Sequence, residues 1–194
     1  MNPFDAIRKN LRFRSWRDNN PMRAIRGGRE HIAGIYKDLG YTHGAEIGVR
    51  AGEYSKILCE TIPGLNLFCI DPWRKHNTVS QEKQDIFFEQ AKMLATTFNI
   101  KILRMTSKEA LSYVPDRSLD FVFVDGDHEF DYVCPDIIYW SKKVKRGGIV
   151  SVHDYCVHLK GGVIQAVDAY THCHNITPWF ISSEPTPTAF WVNP

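Results

Sequence analysis

The chain has 194 residues, 43% hydrophobic and 24% charged, a soluble globular balance that excludes wholesale disorder. Such a length buries a core without disulfides or a structural metal, and amounts to one domain with a short extension. No apolar run approaches the 18 residues of a membrane span, and the first segment has no apolar stretch of the kind a secretory signal needs.

The net charge of +2 hides an asymmetry. Residues 1–29 carry eight basic side chains against Asp5 and Asp18, which leaves sixteen basic and twenty acidic residues for the remainder. A basic leader therefore precedes a mildly acidic body. Residues 1–22 are expected to form a loosely attached basic arm or helix, and 23–194 the single domain, opening with a helix over 23–39 on the sheet's edge. The leader is read as an accessory, either a contact to an anionic acceptor or an arm of a homo-oligomer. Five cysteines at wide spacings, odd in number and without a CxxC, fit reduced thiols in a cytoplasmic protein.

Along the body, residues 45–49, 66–71, 100–105, 119–125 and 148–153 are short apolar runs, as expected of strands buried on both faces. Helical spacing separates them: Phe87, Ala91, Leu94 and Phe98 form one stripe, and Phe130, Val133, Ile137 and Val144 another. The run Lys142-Lys143-Val144-Lys145-Arg146-Gly147-Gly148 predicts the end of that second helix, with cations in its last turn and a glycine cap. Strands alternating with helices imply a parallel sheet covered on both faces. After a helix over 163–172, the strands 176–183 and 189–192 are joined by five residues, too few for a crossover. The last strand should therefore run antiparallel to its predecessor.

In open parallel sheets ligands bind beyond the carboxyl ends of strands. The first strand of the body ends Glu46-Ile47-Gly48-Val49-Arg50-Ala51-Gly52, where two glycines allow a tight turn and close approach of a ligand to the backbone. Neither the GxGxxG fingerprint nor a GK[ST] phosphate loop is present. A glutamate two residues before the glycine points to a ligand without phosphates.

Glu-x-Gly-x-x-x-Gly in this position resembles motif I of the class I S-adenosylmethionine (SAM) dependent methyltransferases, and the likeness runs from about residue 41 to 192. The resemblance implies a doubly wound, Rossmann-like α/β sheet of seven strands, mostly parallel with an antiparallel last strand. It also implies a cofactor site: Glu46, Gly48 and Gly52 from the loop, Asp71 on the ribose hydroxyls, Trp73 near the adenosine, Thr106 and Ser107 at the adenine, and Asp125. The plainer alternative for Gly48 and Gly52 is a tight strand–helix turn, and for Trp73 an aromatic anchor in a loop.

The fourth body strand ends in Asp125-Gly126-Asp127-His128, and the fifth in His153-Asp154-Tyr155. Apolar strands that both terminate in carboxylate and imidazole are costly unless those groups pair or bind a cation. The pattern looks like that of metal-dependent O-methyltransferases acting on sugars, macrolides and related products. That resemblance implies a divalent ion, Mg or Mn, on Asp125, His153 and Asp154, with His128 as general base. His153 stands where an acidic ligand is usual, and an imidazole shifts preference towards Zn, Mn or Fe. The plainer alternative for His153 is to satisfy a neighbouring carboxylate without metal, and for His128 a solvent-exposed loop; Asp127 reads as the cap of the helix that starts near Glu129. Cys156, His158, His172, Cys173 and His174 fit no structural zinc spacing, and the polar loop 74–80 reads as a lid.

The sequence therefore supports a SAM-dependent methyl transfer to a hydroxyl of a small-molecule acceptor. Two other readings remain: a nucleic-acid binding or modifying protein led by the basic arm, and a SAM-binding domain without catalysis. The first has few aromatics placed for stacking, Phe13 and Trp16, and lacks the Pro-Pro-Tyr or Pro-Pro-Phe signature after the fourth strand.

Overall fold

The computed structural model describes residues 1–16, 20–76, 79–157 and 161–194. In chain order the strands are β1 (Arg12–Phe13), β2 (Met22–Arg26), β3 (His43–Ile47), β4 (Asn66–Ile70), β5 (Ile100–Leu103), β6 (Leu119–Val124), β7 (Val144–Val152), β8 (Trp179–Ile181) and β9 (Ala189–Val192). The helices are α1 (Pro3–Asn10), α2 (Arg29–Asp38), α3 (Glu53–Thr61), α4 (Gln81–Leu94), α5 (Ser107–Ala110), α6 (Phe130–Trp140) and α7 (Val163–Cys173). None of the described helices is long and apolar enough to cross a membrane.

The strands form one mixed sheet in the order β1-β2-β8-β9-β7-β6-β3-β4-β5. From β7 through β6, β3 and β4 to β5 every pairing is parallel, and β9 runs antiparallel to both β7 and β8 as expected. Side chains of β6 show why its sequence is apolar throughout. Phe121 and Phe123 join the core beneath α1, α2 and α3, while Val122 and Val124 join that beneath α5, α6 and α7. Consecutive residues of a strand face opposite sides of the sheet, so a sheet covered on both faces needs both sets apolar.

The expected seven strands are all present, but the sheet has nine, because the leader contributes two more. β2 adds parallel to β8, and β1 pairs antiparallel with β2. Residues 23–39 are accordingly not one helix. The strand ends at Gly27-Gly28, where Gly27 has φ of +111°, and α2 starts at Arg29. Nor is the leader loose. Asn2 caps α1 by accepting the Asp5 N–H at 2.9 Å, Ala6, Ile7 and Leu11 are buried, and Lys9 and Asn10 both reach Asp38 at 2.7 Å.

Two further boundaries differ from expectation. The cation-rich segment before Gly147 is not a helix end, because α6 stops at Trp140 and β7 begins at Val144. Gly147, at φ +80°, serves an irregularity in the β6–β7 ladder, and its N–H donates to the Asn193 carbonyl. β8 is only three residues long, since Pro178 has no N–H to give the ladder.

Candidate active site

The loop leaving β3 is shaped by its glycines. Gly48 has φ of +84°, and a Cβ there would lie 2.0 Å from the Asp125 carbonyl oxygen, so the end of β6 admits no side chain at this position. Gly52 has φ of +86° and begins α3, and Arg50 between them is also left-handed at +52°. Asp71, just beyond β4, holds this loop in place. Its Oδ2 accepts the Val49 and Arg50 N–H groups at 3.0 Å each, and its Oδ1 accepts that of Trp73 at 2.7 Å. Burial raises the Asp71 carboxyl above its ordinary value, against the pull of the three amides.

The other residues of the expected cofactor site differ in how they are spent. Trp73 is wholly buried, packs against Phe88 and donates its indole N–H to the Arg50 carbonyl at 2.8 Å. It supports the loop from within and offers no surface to an adenosine. Glu46 is 1% exposed and accepts the Ser55 hydroxyl, and burial pushes its carboxyl up to about 8 despite that bond. Thr106 caps α5 reciprocally with Glu109, and Ser107 donates to the buried carboxyl of Asp136. Burial pushes Asp136 up to about 6.

The second group gathers beside this loop, because β6 lies next to both β3 and β7. His153 is 7% exposed, with Nδ1 at 3.3 Å from Asp125 Oδ1 and 3.2 Å from Asp154 Oδ2. His128 Nε2 is 2.7 Å from the same Asp154 oxygen. Neither ring nitrogen is aligned for a hydrogen bond, although both are buried. Burial alone would lower His153, but contact with the two carboxylates outweighs it and carries the imidazole up to about 10. Burial likewise opposes the charge on Asp154, yet the two imidazoles hold its carboxyl far below the usual range. Contact with Asp154 raises His128, and burial raises Asp125. Asp154 has φ of +58°, a strained conformation for a non-glycine residue at a strand end.

Two carboxylates and two imidazoles with crowded, poorly aligned donors suit a shared cation. Donor atoms of Asp125, His128 and Asp154 all lie within 4.8 Å of one another. That group takes His128 where the sequence pointed to His153, whose Nδ1 lies against the Asp125 and Asp154 carboxylates. Asp127 does not cap α6, whose N-cap position is Glu129; it accepts the Glu129 N–H in the turn before the helix and meets His76 of the loop 74–80 at 3.2 Å. Residues 77 and 78 of that loop, and His158 of the rejected zinc group, lie outside the described residues.

Sequence reasoning missed Arg29 and Thr186. Arg29 Nη1 stands 4.0 Å from Asp125 Oδ2, and Thr186 Oγ1 lies 3.5 Å from His153 Nε2. Arg29 was hidden within the basic leader, although the Gly27-Gly28 pair before it marks a strand–helix turn. A cavity of about 560 Å³ lined by Arg23, Tyr155, Asp168, His172 and Trp179 includes neither Asp71 nor Asp125, and so lies apart from this crevice.

The fold is found in known structures. The O-methyltransferase TomG from Streptomyces achromogenes, involved in tomaymycin synthesis and solved with SAM, superposes with a TM-score of 0.62 at 16% identity, over 85% of this chain and 79% of that one. A putative caffeoyl-CoA O-methyltransferase from Staphylococcus aureus gives 0.61 at 14% identity, over 84% and 81%. A Corynebacterium glutamicum protein gives 0.54 at 14%, over 98% and 86%. No curated protein matches in sequence. A family model described as a methyltransferase domain matches residues 45–155, the stretch from the glycine loop through the second cluster. The chain belongs to that family of methyltransferases.

Proposed function

We propose that this methyltransferase uses SAM and moves its methyl group to a hydroxyl of a small-molecule acceptor, with a divalent ion assisting. One observation carries the reading: the amide-locked glycine loop and the Asp–His cluster share one sheet edge, at the ends of the adjacent strands β3 and β6. This is the switch point of the sheet, because the chain proceeds from β3 towards β5 on one side and from β6 towards β7 on the other. Asp71 sets the loop shape, and Gly48 lets the loop pass close against the backbone at the end of β6.

Asp125, Asp154 and the buried His153 would hold the ion through oxygen and nitrogen, and the ion would supply a Lewis acid for the acceptor oxygen. A base has to reach the acceptor, and His128 is 37% exposed against 7% for His153. His128 keeps its Nε2 towards Asp154 and takes the hydroxyl proton on Nδ1. Asp154 orients the ring and steadies the imidazolium that forms. Methyl transfer is direct and in line, so the remaining task of the protein is to hold oxygen and methyl at attack distance.

The neighbours support this reading as folds, and TomG also through the SAM it holds. Calorimetry with SAM and with NAD, together with metal analysis of the purified protein, tests it. Binding of SAM alone and retention of a divalent ion are expected. Absence of SAM binding, or equal binding of NAD, overturns the cofactor assignment. Full turnover after chelation overturns the metal role.

A further inference from the structure

We propose that the outer face of α6 is the seam of a homodimer, in which two copies of this chain lay their α6 helices antiparallel about a twofold axis. The inference is independent of the SAM reading above.

A helix packed on a sheet is ordinarily polar on its outer side. Among the eleven residues of α6 only Asp131 and Asp136 are charged. The inner side is fully used: Val133, Ile137 and Trp140 are buried in the core beneath the helix, and Asp136 accepts the Ser107 hydroxyl of α5. Much of the remaining apolar surface faces out. Tyr132 is 58% exposed, Tyr139 46% and Ile138 37%, with Pro135 half-buried between them. On α4 the exposed Ile86 and Met93 stand instead among charges, where Asp85 pairs with Arg104 and Glu89 with Lys92. The outer face of α6 has no such ionic cover, and contiguous exposed apolar surface marks an interaction site.

The order of residues on this face matches its own reverse. Asp131, Pro135, Ile138 and Lys142 follow at spacings of four, three and four, so they share one line along the outer surface. Ser141 after the helix keeps helical dihedrals, which carries the line on to Lys142. Turned end for end, the line has the same spacings. An antiparallel copy therefore sets Asp131 against Lys142 twice and Pro135 against Ile138 twice, the self-complementary contact of a twofold axis. Tyr132 and Tyr139, seven residues apart, run along one flank of it.

Both ends are free to pair. Lys143 takes Asp116 at 2.7 Å, while the Lys142 ammonium lies 5.2 Å from the centre of the Tyr139 ring. Among the described residues neither Lys142 nor Asp131 forms an ion pair. An unrelated partner would need no such reversal symmetry, which is why the occupant is a second copy. The apolar centre supplies affinity, and the charges at its ends fix direction and register. A seam one helix wide belongs with the small interfaces, below ~1,200 Å² of buried surface, so a Kd of about 1–100 μM is expected.

Sedimentation velocity on the full chain, from about 1 to 500 μM, reads the association. Circular dichroism and thermal melting confirm that each variant is folded. Asp131→Lys and Lys142→Asp each place two like-charge pairs at the seam, and each should weaken self-association about tenfold or more. Mixed in equal amounts, these two variants restore opposite charges at both ends and should form heterodimers at about the wild-type concentration. A role of either residue in its own fold alone would not produce that rescue. Ile138→Asp, at the centre of the seam, should abolish association. A wild type that stays monomeric throughout overturns the proposal. So does a dimer indifferent to Ile138→Asp and to the charge reversals, or a pair of reversed variants that do not recover on mixing.

Discussion

Among the acidic residues of the crevice, Glu46 and Asp154 have opposite relations to pH. Glu46 is raised from 4.5 to about 8, so the folded chain retains a proton that the unfolded chain releases, and stability falls as pH rises through that interval. Glu46→Gln keeps an oxygen for Ser55 and needs no proton. The variant should match the wild type in Tm near pH 4 and exceed it at pH 8, by differential scanning calorimetry. His153 is raised from 6.5 to about 10, so its stabilising charge is fully present below 6.5 and lost as pH climbs towards 10. Chelated protein should lose Tm over that range, and His153→Asn should flatten the loss. Asp154, depressed instead, contributes above the ordinary carboxylate range and is lost on acidification. For His128→Ala we expect turnover to drop by ~10²–10⁴, the usual contribution of a general base, with SAM affinity retained. A drop below tenfold in steady-state rate removes the base role.

At the scale of elements, the glycine loop is a strand–helix junction whose geometry is set by its neighbours. A methyl group on Gly48 would collide with backbone at 2.0 Å, and neither the end of β6 nor the loop can yield without moving the cluster. Gly64 shares a positive φ, at +72°, but has nothing within 4 Å of its would-be Cβ. Gly64→Ala should therefore cost only the left-handed penalty, ~1–2 kcal/mol. Gly48→Ala should cost clearly more and abolish SAM binding, as urea titration and calorimetry would show. Equal penalties would mean that the loop adapts freely to a side chain at Gly48.

For the whole molecule, the leader is part of the core and completes the sheet. Ile7, Leu11 and Met22 are each at most 5% exposed, and burying such side chains contributes ~1.5–3 kcal/mol apiece. Their sum rivals the 5–15 kcal/mol that holds a typical domain together. Deleting residues 1–22 should leave a protein that is largely unfolded or aggregated by circular dichroism and soluble yield. A deletion variant with a native spectrum and unchanged melting would restore the leader to an accessory role.

The sequence alone determined the alternation of strands and helices, the antiparallel β9, and the two acidic strand ends, because each is written in local periodicity or in a connection too short for a crossover. It also marked Gly48, Gly52, Asp71, Asp125, His128, His153 and Asp154 as residues at one sheet edge. Tertiary structure decided which partners those residues take. Trp73 could be assigned to the core only once Phe88 and the Arg50 carbonyl were placed beside it, and Glu46 became a neutral acid through its burial, against the pull of the Ser55 hydroxyl. The strand at residues 22–26 was hidden among arginines, since Arg23 and Arg26 are exposed on it and its pairing partner lies 158 residues away on β8. For the same reason Arg29 read as one more charge of the leader. Its position opposite Asp125 exists only because β2 and α2 fold back onto the sheet, a long-range contact that no local spacing encodes.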